Sequence, residues 1–104
     1  MTLSDAVSHF KDPSQFLAYA RKHDLKGKRL QGESCIVSKV LQHLMGTKYV
    51  VSVSTKLGTI GVFKGRERIQ ATSTPGWLND LAARFDRGEF ANYEEKRLTN
   101  LSEV

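Results

Sequence analysis

An α+β fold, with a small two- to three-stranded antiparallel sheet packed against three to four helices, is expected from three features of the sequence. Ile36, Val37, Val40, Leu41 and Leu44 recur at the spacing of a single helix face. Tyr49 to Ser54 then alternates, with Tyr49, Val51 and Val53 on one side and Val50, Ser52 and Ser54 on the other, as in a half-buried strand. Turns containing Gly58 and Gly65 follow, and they bring the chain back as a meander before a last apolar helix. Helices on one face of a small sheet are the economical way to bury both kinds of element.

Taken in order, Thr2-Leu3-Ser4-Asp5 has the spacing of a capping box and predicts a short helix over Leu3 to Phe10, with Val7 and Phe10 on one side. Asp12 caps a second helix, Pro13 suits its first turn and Gln15 reaches back. Phe16, Leu17 and Ala20 give that helix its apolar spacing, with Tyr19 beside them, and it runs to about His23. Leu25 to Gly32 reads as a loop whose two glycines and three basic residues leave no face to bury. Ser34 is the expected cap of the third helix, and Gly46 ends it in the left-handed conformation that glycine takes cheaply.

The strand after Gly46 covers Tyr49 to Ser54, and Thr59 to Phe63 returns against it with Ile60 and Val62 on one face. Arg68 to Thr72 forms a third strand anchored by Ile69. Gly61 lies within a strand and points to a bulge or a close approach. The last helix has Thr74 as cap, Pro75 at its first position, and Trp77, Leu78, Leu81, Ala82 and Phe85 as its buried side. Gly88 closes it and Phe90 folds back on it. The domain is expected over residues 1–90, with a polar tail over residues 91–104 that includes Leu98 and Leu101.

The chain of 104 residues suits one domain. Its 39% hydrophobic and 26% charged residues are ordinary for a globular protein, and its aromatic and β-branched content argues against disorder. One cysteine excludes an internal disulfide. No apolar run approaches the ~20 residues that span a bilayer as a helix, so no membrane association is expected. MTLSDAVSHFKD has no basic leader followed by an apolar region, and a reducing cytoplasm is the expected location. The sequon Asn100-Leu101-Ser102 carries no weight without secretion.

Cys35 is the first candidate for chemistry, because a thiol at a helix N-terminus is biased toward thiolate. Nucleophilic catalysis also needs a base. His43 lies eight residues further along the same helix, about 12 Å away by the helical rise. His9 and His23 reach Cys35 only if the N-terminal helices fold over that end. The alternative for Cys35 is a small buried residue that opens the core stripe. One cysteine and three scattered histidines offer no metal-ligand spacing, and no cofactor is expected. Gly58, Gly61 and Gly65 do not lead a strand into a helix, so no dinucleotide fingerprint is present. Asp80 and Asp86 lie beside Arg84 and Arg87 at spacings suited to surface pairing rather than to an acid–base pair.

Basic residues give the best candidate surface. The net charge is +5 and the isoelectric point about 9.6. Arg21, Lys22, Lys26, Lys28 and Arg29 form one cluster, opposed by Asp24; Lys64, Arg66 and Arg68 form a second, opposed by Glu67. Either suits phosphates, with Tyr19 and Phe63 near enough in sequence to stack on bases. No helix-turn-helix, zinc-finger or RNA-recognition signature accompanies them.

The pattern Cys35-Ile36-Val37-Ser38-x-Val40-Leu41, a Val-x-Val strand, and Thr74-Pro75-x-Trp77-Leu78 running to Phe85-Asp86-x-Gly88-Glu89-Phe90 resembles a layout of small bacteriophage and prophage accessory proteins. The resemblance spans Cys35 to Phe90 and leaves the N-terminal helices outside. It implies a small bacterial or phage cytoplasmic protein and carries over no catalytic residue.

Together these features lead to the expectation of a non-enzymatic binding module that docks on a protein partner or on itself. The first alternative is a nucleic-acid-binding protein using both basic clusters. The second is a cysteine-dependent enzyme using Cys35.

Overall fold

The helices begin where side chains can satisfy free backbone amides. In the computed structural model, which describes residues 1–95, α1 (Leu3–His9) opens on a reciprocal pair. Asp5 N–H donates to Thr2 Oγ1 at 3.1 Å, and Thr2 N–H donates to the Asp5 carboxylate at 3.2 Å. α2 (Pro13–Lys22) is capped by Asp12, whose Oδ1 accepts from Gln15 N–H at 2.8 Å. The Gln15 side chain reaches back one residue further and accepts from Lys11 N–H at 2.9 Å.

α3 (Ile36–Met45) is capped by Cys35 rather than Ser34; Cys35 Sγ accepts from Ser38 N–H at 3.5 Å. Ser34 is spent in the preceding turn, where its N–H donates to Gln31 O and its carbonyl accepts from Lys28 N–H. Gly46 ends the helix at φ 64°, as its sequence position predicts.

Among the described residues the chain then forms β1 (Val50–Ser54), β2 (Thr59–Lys64), β3 (Glu67–Ser73), α4 (Gly76–Asp86) and a short 3-10 turn at Ala91–Tyr93. The strands make an antiparallel sheet in the order β1-β2-β3, so the fold is α+β. Val51 faces Val62 and Val53 faces Ile60, and all four are buried on the inner side of the sheet. On that side α3 lies against β1 and α1 against β3, while α2 and α4 pack on α3 and on each other. α3 is therefore the central element, and Ile36, Val37, Val40 and Leu41 are fully covered. Phe16 from α2 and Leu78, Leu81 and Phe85 from α4 complete one core. Phe10, Phe16 and Trp77 meet edge to face within it, at centroid distances of 5.1 Å and 6.3 Å.

Three further local expectations are corrected. Ile69 does not anchor β3. Val62 pairs with Gln70 and Phe63 with Arg68, which leaves Ile69 as the extra residue of a bulge and 40% exposed. Gln70 takes the inward position and accepts from Leu3 N–H at 2.7 Å, tying the start of α1 to the sheet. Thr74 does not cap α4. Its N–H is held by Gly58 O at 2.8 Å, the helix begins after Pro75, and Thr74 Oγ1 has no partner among the described residues. The Leu25–Gly32 loop does bury part of itself, since Gly27 is covered and Leu25 half-covered.

The polar segment after Phe90 is held to the body as far as Glu95. Gly27 N–H donates to Tyr93 O and Glu95 N–H donates to Gly27 O, both at 2.9 Å. Residues 96–104, with Leu98, Leu101 and the sequon, lie outside the described residues.

Candidate binding surface

The first basic cluster is divided by the fold. Arg21 and Lys22 sit exposed on the last turn of α2, and Lys26 is half-buried beside a small cleft formed with Asp24, Leu25 and Tyr93. Arg29 Nε lies 3.1 Å from the Glu94 carboxylate, and Lys28 Nζ lies 3.9 Å from that of Glu95. Lys28 and Arg29 are thus paired in charge with the Ala91–Glu95 segment, whose main chain is held by Gly27.

The second cluster stays together. Lys64 and Arg66 project from the β2–β3 turn, and Arg68 is exposed on β3. No ion pair engages these three among the described residues. The aliphatic part of Arg68 and the ring of Phe63 both lie over Gly61, where a Cβ would stand 3.0 Å from the Phe63 ring. This is the close approach that a glycine inside a strand suggested.

Phe63, Gly61 and Arg68 belong to the outer side of the sheet, which no helix among the described residues covers. Val50, Ser52 and Ser54 from β1, Thr59 from β2, and Ala71 and Ser73 from β3 share that side. It is a shallow floor of small residues with one aromatic ring and a guanidinium at one end.

The two edges of the sheet differ. The β1 edge is closed by the loop before α3: Val53 N–H donates to Gly32 O at 2.9 Å, and the Ser38 hydroxyl lies against Val51 O. A Cβ at residue 32 would stand 2.5 Å from Val53 O, so glycine alone permits that approach. Because Val51 and Val53 turn their backbone groups outward, β2 bonds to β1 through Phe63, Gly61 and Thr59, and turns Ile60 and Val62 toward β3. On β3 the intervening residues Ala71 and Ser73 therefore direct their N–H and C=O groups away from the sheet. Both residues are exposed, and no hydrogen bond among the described residues takes up those groups.

Cys35 is buried, at 3% exposure, and lines a cleft of about 280 Å³ with Leu30, Gly32, Val53, Ala82 and Asp86. Burial pushes its thiol up, and the Asp86 charge adds to this against the amide of Ser38. Asp86 is itself engaged, accepting from Leu30 N–H at 2.9 Å. The cap position thus does not produce a thiolate: desolvation outweighs the helix terminus.

His9 meets Phe10 edge-on at the end of α1, and the other two histidines are engaged with Tyr19. His43 Nδ1 and Tyr19 Oη are 2.7 Å apart, and the His23 ring packs at a tilt against both, with centroids 4.6 Å from His43 and 4.4 Å from Tyr19. Partial burial, then His43 and then Lys22, hold His23 below the ordinary histidine range. Burial raises the Tyr19 phenol. Tyr19 is thereby committed to this cluster instead of standing free to stack on bases. The sequence carried half of the signal, since Tyr19 and His23 are four apart on one helix; the approach of His43 is tertiary. Among the described residues no three metal-ligating side chains come together.

No protein-family model, no curated protein and no solved structure matches the chain.

Proposed function

We propose that the protein is a non-enzymatic binding module, of the bacterial or phage accessory kind suggested by the Cys35–Phe90 pattern, that docks on a protein partner through β3 and the outer side of its sheet. The open β3 edge carries this reading. One edge of the sheet is closed by a dedicated loop and a buried serine, while along the other, among the described residues, backbone groups stay unpaired beside a face that no described helix covers. An unpaired edge is a template for another chain. A buried thiol whose pKa is pushed up, with His23 and His43 packed on Tyr19 and His9 exposed at the end of α1 against Phe10, weighs against the cysteine-enzyme alternative.

A photo-crosslinking amino acid placed at position 71, with position 14 on the exposed side of α2 as control, tests this in native-host extract treated with nuclease. Protein adducts from position 71 and not from position 14 are the expected result. Equal or absent adducts from the two positions would overturn the reading. Light scattering of the purified protein reports whether the docked chain is a second copy.

Nucleic acid is the second reading, favoured by one observation: Phe63 and Arg68 share the outer face next to Lys64 and Arg66. A polarisation titration with single-stranded DNA across salt decides it, because phosphate contacts are strongest at low salt. No binding there ends it.

A further inference from the structure

We infer that β3 accepts an extended acidic peptide of another protein as a fourth strand, with an apolar residue opposite Ala71 and carboxylates facing Arg66 and Arg68. The inference rests on the docking reading above and names the chemistry of the partner.

Growth of the sheet is one-sided. On β1 the Val53 N–H is taken by Gly32 and the Val51 carbonyl by Ser38, and the loop at Gly32 lies close against the Val53 carbonyl, which blocks a further strand there. On β3 the N–H and C=O of Ala71 and Ser73 form one outward-directed row, which fixes the register of an added strand to those two residues. The side chain of that strand opposite Ala71 would lie on the outer side, beside the row Ala71, Gly61 and Ser52. Ala71 is small and exposed, and the Phe63 ring and the Arg68 stem fill the space over Gly61 next to it, so a large apolar side chain opposite Ala71 has room at the edge and an apolar neighbour.

Charge settles the rest. At the other end of β3 stand Lys64, Arg66 and Arg68, with Glu67 the only carboxylate between them. A second copy of β3 does not answer this charge. An antiparallel pair centred on Ala71 puts Thr74 opposite Arg68 and Pro75 opposite Glu67. The registers that bring Glu67 against the arginines push Ala71 and Ser73 beyond the paired stretch. A peptide whose acidic residues fall three to five positions from its apolar one satisfies the open ladder and the cations together.

Fluorescein-labelled ten-residue peptides of alternating Glu and Val, in both parities, are the probes, with the Lys–Val counterpart and a ten-nucleotide oligo-dT as controls. Polarisation gives affinity, and amide exchange by NMR gives location. The expected result is binding of a Glu–Val peptide at low salt, at least tenfold tighter than either control, with slowed exchange at Ala71 and Ser73. Arg66→Glu with Arg68→Glu should weaken it at least tenfold. Ala71→Pro removes an outward N–H on an edge strand, where proline is tolerated, and should abolish it while the thermal midpoint stays measurable. Arg21→Glu with Lys22→Glu carries the same change in charge on α2 and should leave it unchanged.

Absence of binding by both Glu–Val peptides at low salt overturns the inference. Binding without protection at Ala71 and Ser73 does so too, because charge alone would then explain it. Oligo-dT binding as tightly as the peptide overturns it in favour of nucleic acid. Protein adducts from position 71 alongside failed peptide binding would refute the acidic strand and leave the docking reading standing.

Discussion

Ser38→Ala isolates the contact that closes one side of the sheet. Ser38 is fully buried on α3, and its hydroxyl lies against the carbonyls of Val51 and Glu33. Losing one oxygen leaves no appreciable cavity, so the cost is a matter of hydrogen bonding. The Val51 carbonyl is buried at the closed edge and would lose the donor it has there, which costs roughly 1–3 kcal/mol. The Glu33 carbonyl is only partly buried and regains water at little cost. The expected loss is thus about 2 kcal/mol. At about 4–8 °C per kcal/mol for a domain of this size, the thermal midpoint falls by about 8–16 °C. Urea unfolding followed by Trp77 fluorescence should show a lower midpoint with an unchanged slope, since the same surface is exposed. Amide exchange at Val53, whose N–H meets the loop that Ser38 holds, should accelerate with it. Ser34→Ala is the control and should cost under ~0.5 kcal/mol, because the Ser34 side chain caps nothing. A Ser38→Ala protein as stable as the parent, or a Ser34→Ala protein equally damaged, would refute this account of the edge.

Three shorter predictions concern the interior and the histidine cluster. Cys35 should resist a mild alkylating reagent at neutral pH in the folded protein and react fully in denaturant, since burial raises its thiol; rapid labelling of the native state would contradict that. His23, held below the ordinary range by burial and by His43, binds fewer protons folded than unfolded. Its contribution to stability is therefore present above the unfolded value of about 6.5 and lost as pH falls through the folded one. NMR titration should place it below a free histidine, and His43→Gln should move it upward; no movement would remove the coupling. Gly27→Ala should destabilise by roughly 1–3 kcal/mol or more, because the added Cβ meets the main chain of Ser34, Cys35 and Ile36 rather than a side chain that can move aside. A melting curve matching the parent would show that the loop yields.

What sequence pattern conveys here is whatever depends on neighbours along the chain. The α3 stripe, the Gly46 stop, the Asp12–Pro13 start and the β1 alternation all follow from local periodicity and capping, and each has the physical cause assigned to it. The failures are tertiary. Ser34 and Cys35 are both able to cap, and the loop turn that uses the main chain of Ser34 decides between them. Ile69 is the most apolar residue of β3, yet a one-residue bulge sends it outward and gives Gln70 the inner position that α1 requires. The basic clusters look alike in sequence. They separate in space because Glu94 and Glu95 return to Lys28 and Arg29, a contact across more than sixty residues that no short motif encodes.

The cations at the β2–β3 turn admit two roles that make opposite predictions. Charged residues and a bulge are standard devices that keep a free edge from pairing with another copy, and β3 has both. If Arg66 and Arg68 served only that purpose, replacing both by glutamine would free the edge: the variant would self-associate in light scattering and still bind an acidic strand. If they recruit the partner, the variant should remain monomeric and lose peptide affinity at least tenfold, because the ladder groups of Ala71 and Ser73 are unchanged while the charge they are read with is gone. The placement favours recruitment. A guard belongs beside the groups it protects, whereas Arg66 and Arg68 stand beyond the bulge, on the far side of Ile69 from Ala71 and Ser73. The stretch from Gln70 to Ser73 carries no charge at all, and no other strand among the described residues pairs with its outer edge. An edge left uncharged along its bonding row and strongly charged at one end repels little along its length and orients what binds it.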